Sequence, residues 1–469
     1  MERNLMQLNI QRAQEEIDRK KELVSKGSMR QEYHFMPQAG WMNDPNGLIC
    51  FRGKYHFFYQ CNPYGAFWDC MYWGHAVSED LVHWEHLGVA LFPSKDYDRN
   101  GVFSGTALEK DGKLFLYYSA VKYLETDEED IHHAKNEKFD TSQALIVSED
   151  GYHFDNMKAK RKIIPVIRDE KIAHPVNTRD PKVWKYKNRY YMLLGSTLKN
   201  EQGRALFFAS ADGEKWEYVN QYQHKNFGII LECPDLFQID GQYVFQGSPM
   251  KILEDGLEYA HNSICACVDF EEEKCELSLP EKYQFVDCGL DLYAPQTNLD
   301  KDGNRVMIGW MRMPESVPGD EERSTWNGMM CTPRVMEIQD GHIVYRMHPE
   351  IDRYMSKKVE KEQINWKKGF RLKTSLQEGE ELNIGGYRIY IEENKVCADR
   401  SRVFGERNHY RNVLSTPQLK EKCELDIIAD ENLIEIFVND GEYVLSNIVY
   451  GLEHKITGPV DQILEGREE

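Results

Sequence analysis

Phe51-Arg52-Gly53-Lys54-Tyr55-His56-Phe57-Phe58-Tyr59 is a tight turn followed by an aromatic, apolar run, and the pattern recurs. Asp111-Gly112-Lys113-Leu114-Phe115-Leu116-Tyr117-Tyr118 has the same form. So do Tyr186-Lys187-Asn188-Arg189-Tyr190-Tyr191-Met192-Leu193-Leu194, Asp240-Gly241-Gln242-Tyr243-Val244-Phe245 and Asp302-Gly303-Asn304-Arg305-Val306-Met307-Ile308-Gly309-Trp310. Successive copies start 60, 75, 54 and 62 residues apart. A second unit of the form S-x-D-x-x-x-aromatic interleaves with the first, at Ser78–Trp84, Ser148–Phe154 and Ser210–Trp216. Turn residues alternating with short aromatic runs read as strands. A repeat near 60 residues in such a pattern predicts four-stranded propeller blades, and five copies predict five blades. Unrelated hairpins that merely share a turn would not keep two units in one constant order.

Outward from this repeat the texture changes on both sides. Residues 1–29 read as a helical extension, with Leu5, Leu8, Ile17 and Val24 spaced among charges and a stop at Lys26-Gly27-Ser28. The propeller is expected over 30–340. Beyond 345, runs such as Tyr387–Ile391, Leu425–Ile428 and Leu433–Val438 alternate with polar residues, and Asn439-Asp440-Gly441-Glu442 is a hairpin signal. Residues 345–469 are therefore expected to form a β-sandwich. The fold class is all-β: a five-bladed β-propeller followed by a C-terminal β-sandwich, with a short N-terminal helix.

The net charge of −20 over 469 residues leaves no basic stripe for phosphates, which argues against nucleic acid. Eleven scattered cysteines, an odd number without a paired C-x-x-C, fit reduced thiols and not a disulfide framework or zinc site. No apolar run reaches 18 residues, so no membrane partner is expected. The polar start lacks an export signal, and the expected location is the cytoplasm. The charge run over 121–140, with His132 and His133, reads as a solvated loop instead of a metal site.

Three carboxylates stand in similar settings: Asp44 in Trp41-Met42-Asn43-Asp44-Pro45-Asn46-Gly47, Asp180 in Arg179-Asp180-Pro181, and Glu232 in Glu232-Cys233-Pro234. The prolines and asparagines make each read as a turn, with the acid at its mouth. Each precedes a different repeat unit, so the three are expected to converge from different blades at one end of the funnel. Carboxylates sharing a pocket push at least one pKa upward. That suits glycoside hydrolysis, where one carboxylate attacks and another carboxyl donates a proton. Three acids also suit calcium or magnesium, but the D-x-D-x-D loop signature is absent.

These motifs, with Phe103-Ser104-Gly105, Leu292-Tyr293-Ala294-Pro295-Gln296-Thr297 and Gly309-Trp310, resemble in order and kind those of glycoside hydrolase family 32, the β-fructofuranosidases. The resemblance is strong over 30–340 and weaker beyond. It implies Asp44 as nucleophile, Glu232 as acid/base and Asp180, beside Arg179, as transition-state stabiliser. It also implies a fructose pocket lined by Asn43, Gln60, Trp68, Phe103, Ser104, Arg179 and Trp310, and a chemistry without metal or organic cofactor. Cys331-Thr332-Pro333-Arg334 departs from the Thr-Leu-Pro-Arg frequent in the family and leaves the leaving group open.

The expected activity is retaining hydrolysis of terminal β-D-fructofuranosyl units from sucrose, sucrose 6-phosphate or short fructans. The partner is then a small-molecule fructoside, and the oligomeric state is open. Fructosyl transfer and non-catalytic sugar binding are the alternatives. Double displacement asks for Asp44 and Glu232 carboxyls roughly 5–6 Å apart. As proton donor, Glu232 is expected to titrate above a free Glu, at about 4.3.

Overall fold

A computed structural model describes residues 2–25, 30–126, 134–253, 261–315, 326–405, 410–419 and 422–467. Lys26–Ser28 and residues 127–133 of the charge run, with His132 and His133, lie outside the described residues.

Five sheets follow one another along the chain, each opening on its innermost strand. These innermost strands are Gly40–Phe51, Gly101–Lys110, Arg179–Tyr186, Leu231–Ile239 and Leu292–Leu299. They touch in a closed ring, the fifth returning to the first, and define blades one to five. Trp326 and Asn327 pair in parallel with Gly40 and Trp41, so late chain seals the first blade. The first repeat unit is the hairpin between the first and second strand of every blade. The second unit is the turn between the third and fourth strands of blades one to three. Ser78 Oγ accepts from Asp80 N and Leu81 N, and Asp80 Oδ1 accepts from Val82 N and His83 N. Ser148/Asp150 and Ser210/Asp212 cap their turns likewise. The repeat is a self-capping turn, which is why its spacing is fixed.

Apolar clusters fill the clefts between neighbouring blades. Phe58 and Trp73 meet Leu116 and Tyr118 between blades one and two, and Leu193 and Phe207 meet Leu236 and Phe245 between three and four. Glycine matters where strands come close. A Cβ on Gly195, the partner of Arg179, would collide with the Leu231 carbonyl, so only glycine lets blades three and four approach beside Glu232.

From Met355 onward the strands form a six-stranded and a five-stranded sheet packed face to face, with Leu372, Ile389, Ile427 and Ile436 between them. Asn439, Asp440 and Gly441 turn with φ of 49°, 59° and 89°, the left-handed conformations their residue types favour. The N-terminal helix spans Glu2–Ser25, and Gln14 accepts from Val89 N on the outer strand of blade one. Its Ala13, Ile17 and Val24 are buried. Among the described residues no helix is long and apolar enough to cross a membrane.

Candidate active site

Every innermost strand carries one extra residue at the same height. In blade one Met42 and Pro45 pair with Cys61 and Tyr59, three steps against two. The same count separates Val102 from Gly105, Arg179 from Lys182, Glu232 from Asp235 and Tyr293 from Gln296. These are β-bulges, which bend a strand and re-aim its side chains. Asp44, Ser104, Asp180 and Cys233 are bulge residues, and Asp180, Cys233 and Ala294 adopt positive φ of 64°, 44° and 50°. The sequence expectation of turns at the three acids is therefore corrected. Pro45, Pro181, Pro234 and Pro295 stand inside strands, at bulges, where a missing N–H costs no ladder bond.

The ring of bulges opens into a cavity of about 490 Å³. Asp44, Asp180 and Glu232 line it together, as do Asn43, Gln60, Trp68, Phe103, Arg179 and Trp310. Ser104, also expected there, is fully buried behind the wall and reaches the site through hydrogen bonds. Tyr123, Phe139, Ile230 and Met250 add apolar wall. Trp310 Nε1 has no hydrogen-bond partner among the described residues, and Trp41 packs edge-on against that ring.

Two chains of hydrogen bonds hold the carboxylates. On one side Ser104 Oγ donates to Asp44 Oδ2 at 2.5 Å and accepts from Gln60 Nε2 at 2.5 Å. Asn43 Nδ2 donates to Asp44 Oδ1 and to Gln60 Oε1, and is itself fixed by Trp41 Nε1 on its oxygen. On the other side Arg179 Nη2 and Nε donate to Glu232 Oε1 at 2.7 and 3.2 Å, while Nη1 is held by Asn177. Tyr293 Oη donates to Glu232 Oε2 at 2.8 Å. Between the two chains stands Cys233. Its N–H donates to Asp180 Oδ2 at 2.9 Å, and its thiol lies 3.5 Å from Asp44 Oδ2 and 3.6 Å from Asp180 Oδ2.

This arrangement spreads the three acids in pKa. Burial, aided by the Glu232 and Asp44 charges against the pull of Arg179, pushes Asp180 up to about 7. Burial also lifts Asp44, against hydrogen bonds from Ser104 and Asn43. Glu232 goes the other way. Burial raises it, but the charge and hydrogen bonds of Arg179 and the Tyr293 hydroxyl more than offset that and hold it below its ordinary value. The expectation of a raised Glu232 is thus corrected.

Tyr293 and Asn177 are site residues that the sequence reading left without roles. A signal for Tyr293 was present. Aligned on proline, Arg179-Asp180-Pro181, Glu232-Cys233-Pro234 and Tyr293-Ala294-Pro295 put Arg179, Glu232 and Tyr293 at one place, the last ladder residue before the bulge, and these three side chains join in space.

Comparison with known proteins returns one family over both parts of the chain. Residues 34–349 match the glycosyl hydrolases family 32 N-terminal domain and 352–458 the family 32 C-terminal domain. The chain is 30% identical over 463 residues to the sucrose-6-phosphate hydrolase of Bacillus subtilis (strain 168), covering 93% of this chain and 92% of that one. It is 32% identical over 443 residues to the sucrose-6-phosphate hydrolase of Escherichia coli, covering 89% and 88%. The solved structure of the Bombyx mori GH32 β-fructofuranosidase BmSUC1 superposes with a TM-score of 0.79 at 28% identity, covering 98% and 97%. With both halves of the family model matched and a cavity of bulge-borne carboxylates between its blades, the chain belongs to glycoside hydrolase family 32.

Proposed function

We propose that the cavity hydrolyses terminal β-D-fructofuranosyl units with retention, Asp44 attacking the anomeric carbon and Glu232 serving as acid and then base. The observation that carries this reading is the unequal treatment of the two carboxylates. Asp44 is gripped by neutral donors, Ser104 and Asn43, which orient it and leave it an anion free to bond carbon. Glu232 is gripped by a cation and a phenol, which tune its proton affinity. Asp180 borders both and, protonated near neutrality, can exchange hydrogen bonds with sugar hydroxyls. Attack breaks the bond from C2 to the glycosidic oxygen, Glu232 gives that oxygen its proton, and a fructosyl ester forms on Asp44. Water deprotonated by Glu232 then releases fructose. For Glu232 to carry its proton, the Arg179 grip loosens when sugar enters, and Asp180 is the neighbour that holds the spare proton.

Asn43, Gln60, Trp68, Phe103, Arg179 and Trp310 form the fructose side of the pocket, and Ser104 supports it from behind through Gln60 and Asp44. The substrate is a sucrose-type fructoside, and the bacterial relatives make sucrose and sucrose 6-phosphate the first to assay. The deciding experiment is Asp44→Asn on both sugars. The folded variant is expected to be inactive, and one keeping a tenth of the wild-type rate overturns the reading.

A further inference from the structure

A second ion pair lies below the carboxylates. Lys182 Nζ donates to Asp235 Oδ2 at 3.0 Å and to the Thr297 carbonyl at 2.6 Å. The side chains of Lys182 and Asp235 are only 9% and 1% exposed. Asp235 Oδ2 also accepts from Thr297 N at 3.0 Å and Thr297 Oγ1 at 2.9 Å. The three residues come from the innermost strands of blades three, four and five. Lys182 and Asp235 hold equivalent places, each the first ladder residue after its bulge. Arg179 and Glu232 are the last ladder residues before those bulges. Asp180 and Cys233 are thus bracketed by two ion pairs that join the same two strands, one above and one below.

The pairs differ in what the reaction asks of them. Arg179 and Glu232 face the cavity, and Glu232 gains and loses a proton in each turnover, so the upper attraction is switched off and on. Neither Lys182 nor Asp235 lines the cavity, and no step changes their charges. Little solvent screens a pair buried in this way. Burial also lowers the proton affinity of Lys182 against the pull of Asp235, so the cost falls on removing one partner and stranding the other. Thr297 ties it to the strand that carries Tyr293, four residues upstream.

We propose that Lys182 and Asp235 are positioning residues: a permanent ion pair that keeps blades three and four in register while the Arg179–Glu232 pair above is broken and remade. This rests on the acid/base role given to Glu232. Without the lower pair, Asp180 and Glu232 shift against Asp44 whenever the upper pair opens. A misplacement near 1 Å costs about 10²-fold in rate.

The test is a double-mutant cycle. Asp235→Asn keeps an oxygen for both Thr297 hydrogen bonds but removes the pair. Lys182→Met removes the cation, and Lys182→Met/Asp235→Asn removes both charges of the pair, with Arg305, whose charge acts on both, left in place in every variant. Each is assayed on sucrose and on an activated aryl fructoside across pH, beside the wild type and Asp44→Asn, with melting followed by circular dichroism. The double variant is expected to lose roughly 10²-fold in kcat, with KM within about threefold and the basic limb of the pH profile displaced. Both single variants are expected to lose about as much as the double, because one interaction is removed in all three. Losses that simply add overturn the proposal. So does a double variant with a lowered melting temperature but wild-type kcat per folded molecule and an unmoved pH limb, since that is a structural pair only. If the double variant fails to fold, Asp235→Asn alone, scored on kcat, KM and the pH limb, decides in the same way. An Asp44→Asn protein that still turns over sucrose strikes instead at the reading of the site, so the two failures are distinguishable.

Discussion

The carboxylates of the cavity and those where blade five meets the C-terminal sheets are both buried among polar groups, but they are balanced differently. In the cavity Arg179 is, among the described residues, the one cation lining the wall beside Asp44, Asp180 and Glu232. At the junction His34 bridges Asp430 at 3.1 Å and Glu435 at 2.9 Å, and Arg334 bridges Glu435 at 2.8 Å and Asp287 at 2.9 Å. Thr332 N adds a further bond to Glu435. The result appears in the proton affinities. Burial opposes ionisation at the junction too, yet bonds from His34 and the Arg334 charge hold Glu435 down at about 2. Asp430 is also lowered, and His34 rises to about 9. Asp287 alone goes up, its burial outweighing Arg334. Two cations shared among three carboxylates fix the protonation of Asp430 and Glu435 and hold the halves of the chain together. Arg179, shared among the three cavity acids, leaves Asp180 raised.

The largest expected effect is at Asp44. Asp44→Asn should lower kcat by about 10⁵-fold, as loss of a covalent nucleophile does. It should leave the melting temperature unchanged or raised, because it removes a charge from the unbalanced cluster. A clear fall in melting temperature would show that this cluster is also balanced for stability.

Next is the junction. Arg334→Met strands Glu435 and Asp287 in the interior and should cost about 3–5 kcal/mol of stability by denaturant unfolding. Activity per folded molecule should be retained. If kcat falls while stability holds, the junction belongs to the catalytic machinery and the contrast fails.

A pH series separates the clusters further. The folded value of His34, about 9 against an ordinary 6.5, makes its contribution complete below 6.5 and lost as pH rises through 9. Glu435, about 2 against 4.5, contributes above 4.5 and loses it as pH falls through 2. Asp180 is opposite in sense to Glu435: raised from 3.8 to about 7, it favours folding at low pH and loses that contribution as pH rises through 7. His34→Asn should erase an alkaline loss on the order of 3 kcal/mol, read from unfolding at pH 6 and pH 9.

The smallest effect is at Arg179. Arg179→Gln releases Glu232 from its depressed value, so the basic limb of kcat/KM should move to higher pH, with about a tenfold lower maximum. A limb that stays in place would mean that Arg179 only binds sugar.

The outer parts of blades one to three were the most legible in the sequence, because Ser78-Glu79-Asp80 and its copies form their structure from their own side chains. The blade count and the meeting of Asp44, Asp180 and Glu232 followed from those local signals. The bulges did not, since a proline in a bulge and a proline in a turn look alike until the partner strand is in place. Pro181 and Pro234 were read as breaks, yet they lie within strands. The direction of the Glu232 shift was also hidden. Arg179 sits next to Asp180 in the chain, but its guanidinium turns to Glu232, 53 residues away. Ser119 shows the same limit: its hydroxyl accepts from Asp180 N, and nothing around it in the chain points to the site.

The thiol of Cys233, wedged between two carboxylates, bears on chemical labelling. Burial and the surrounding anions push it well above an ordinary cysteine, so it stays a neutral thiol over the working range. Thiolates, and not thiols, are alkylated. Iodoacetamide and maleimides should therefore pass it by. An electrophile built on a fructose ring should meet the Asp44 carboxylate first, despite a sulfur 3.5 Å away. A fructose-derived epoxide or cyclic sulfate then becomes a selective tag for the active protein in a crude extract, read as an ester on one aspartate with the cysteine unmodified.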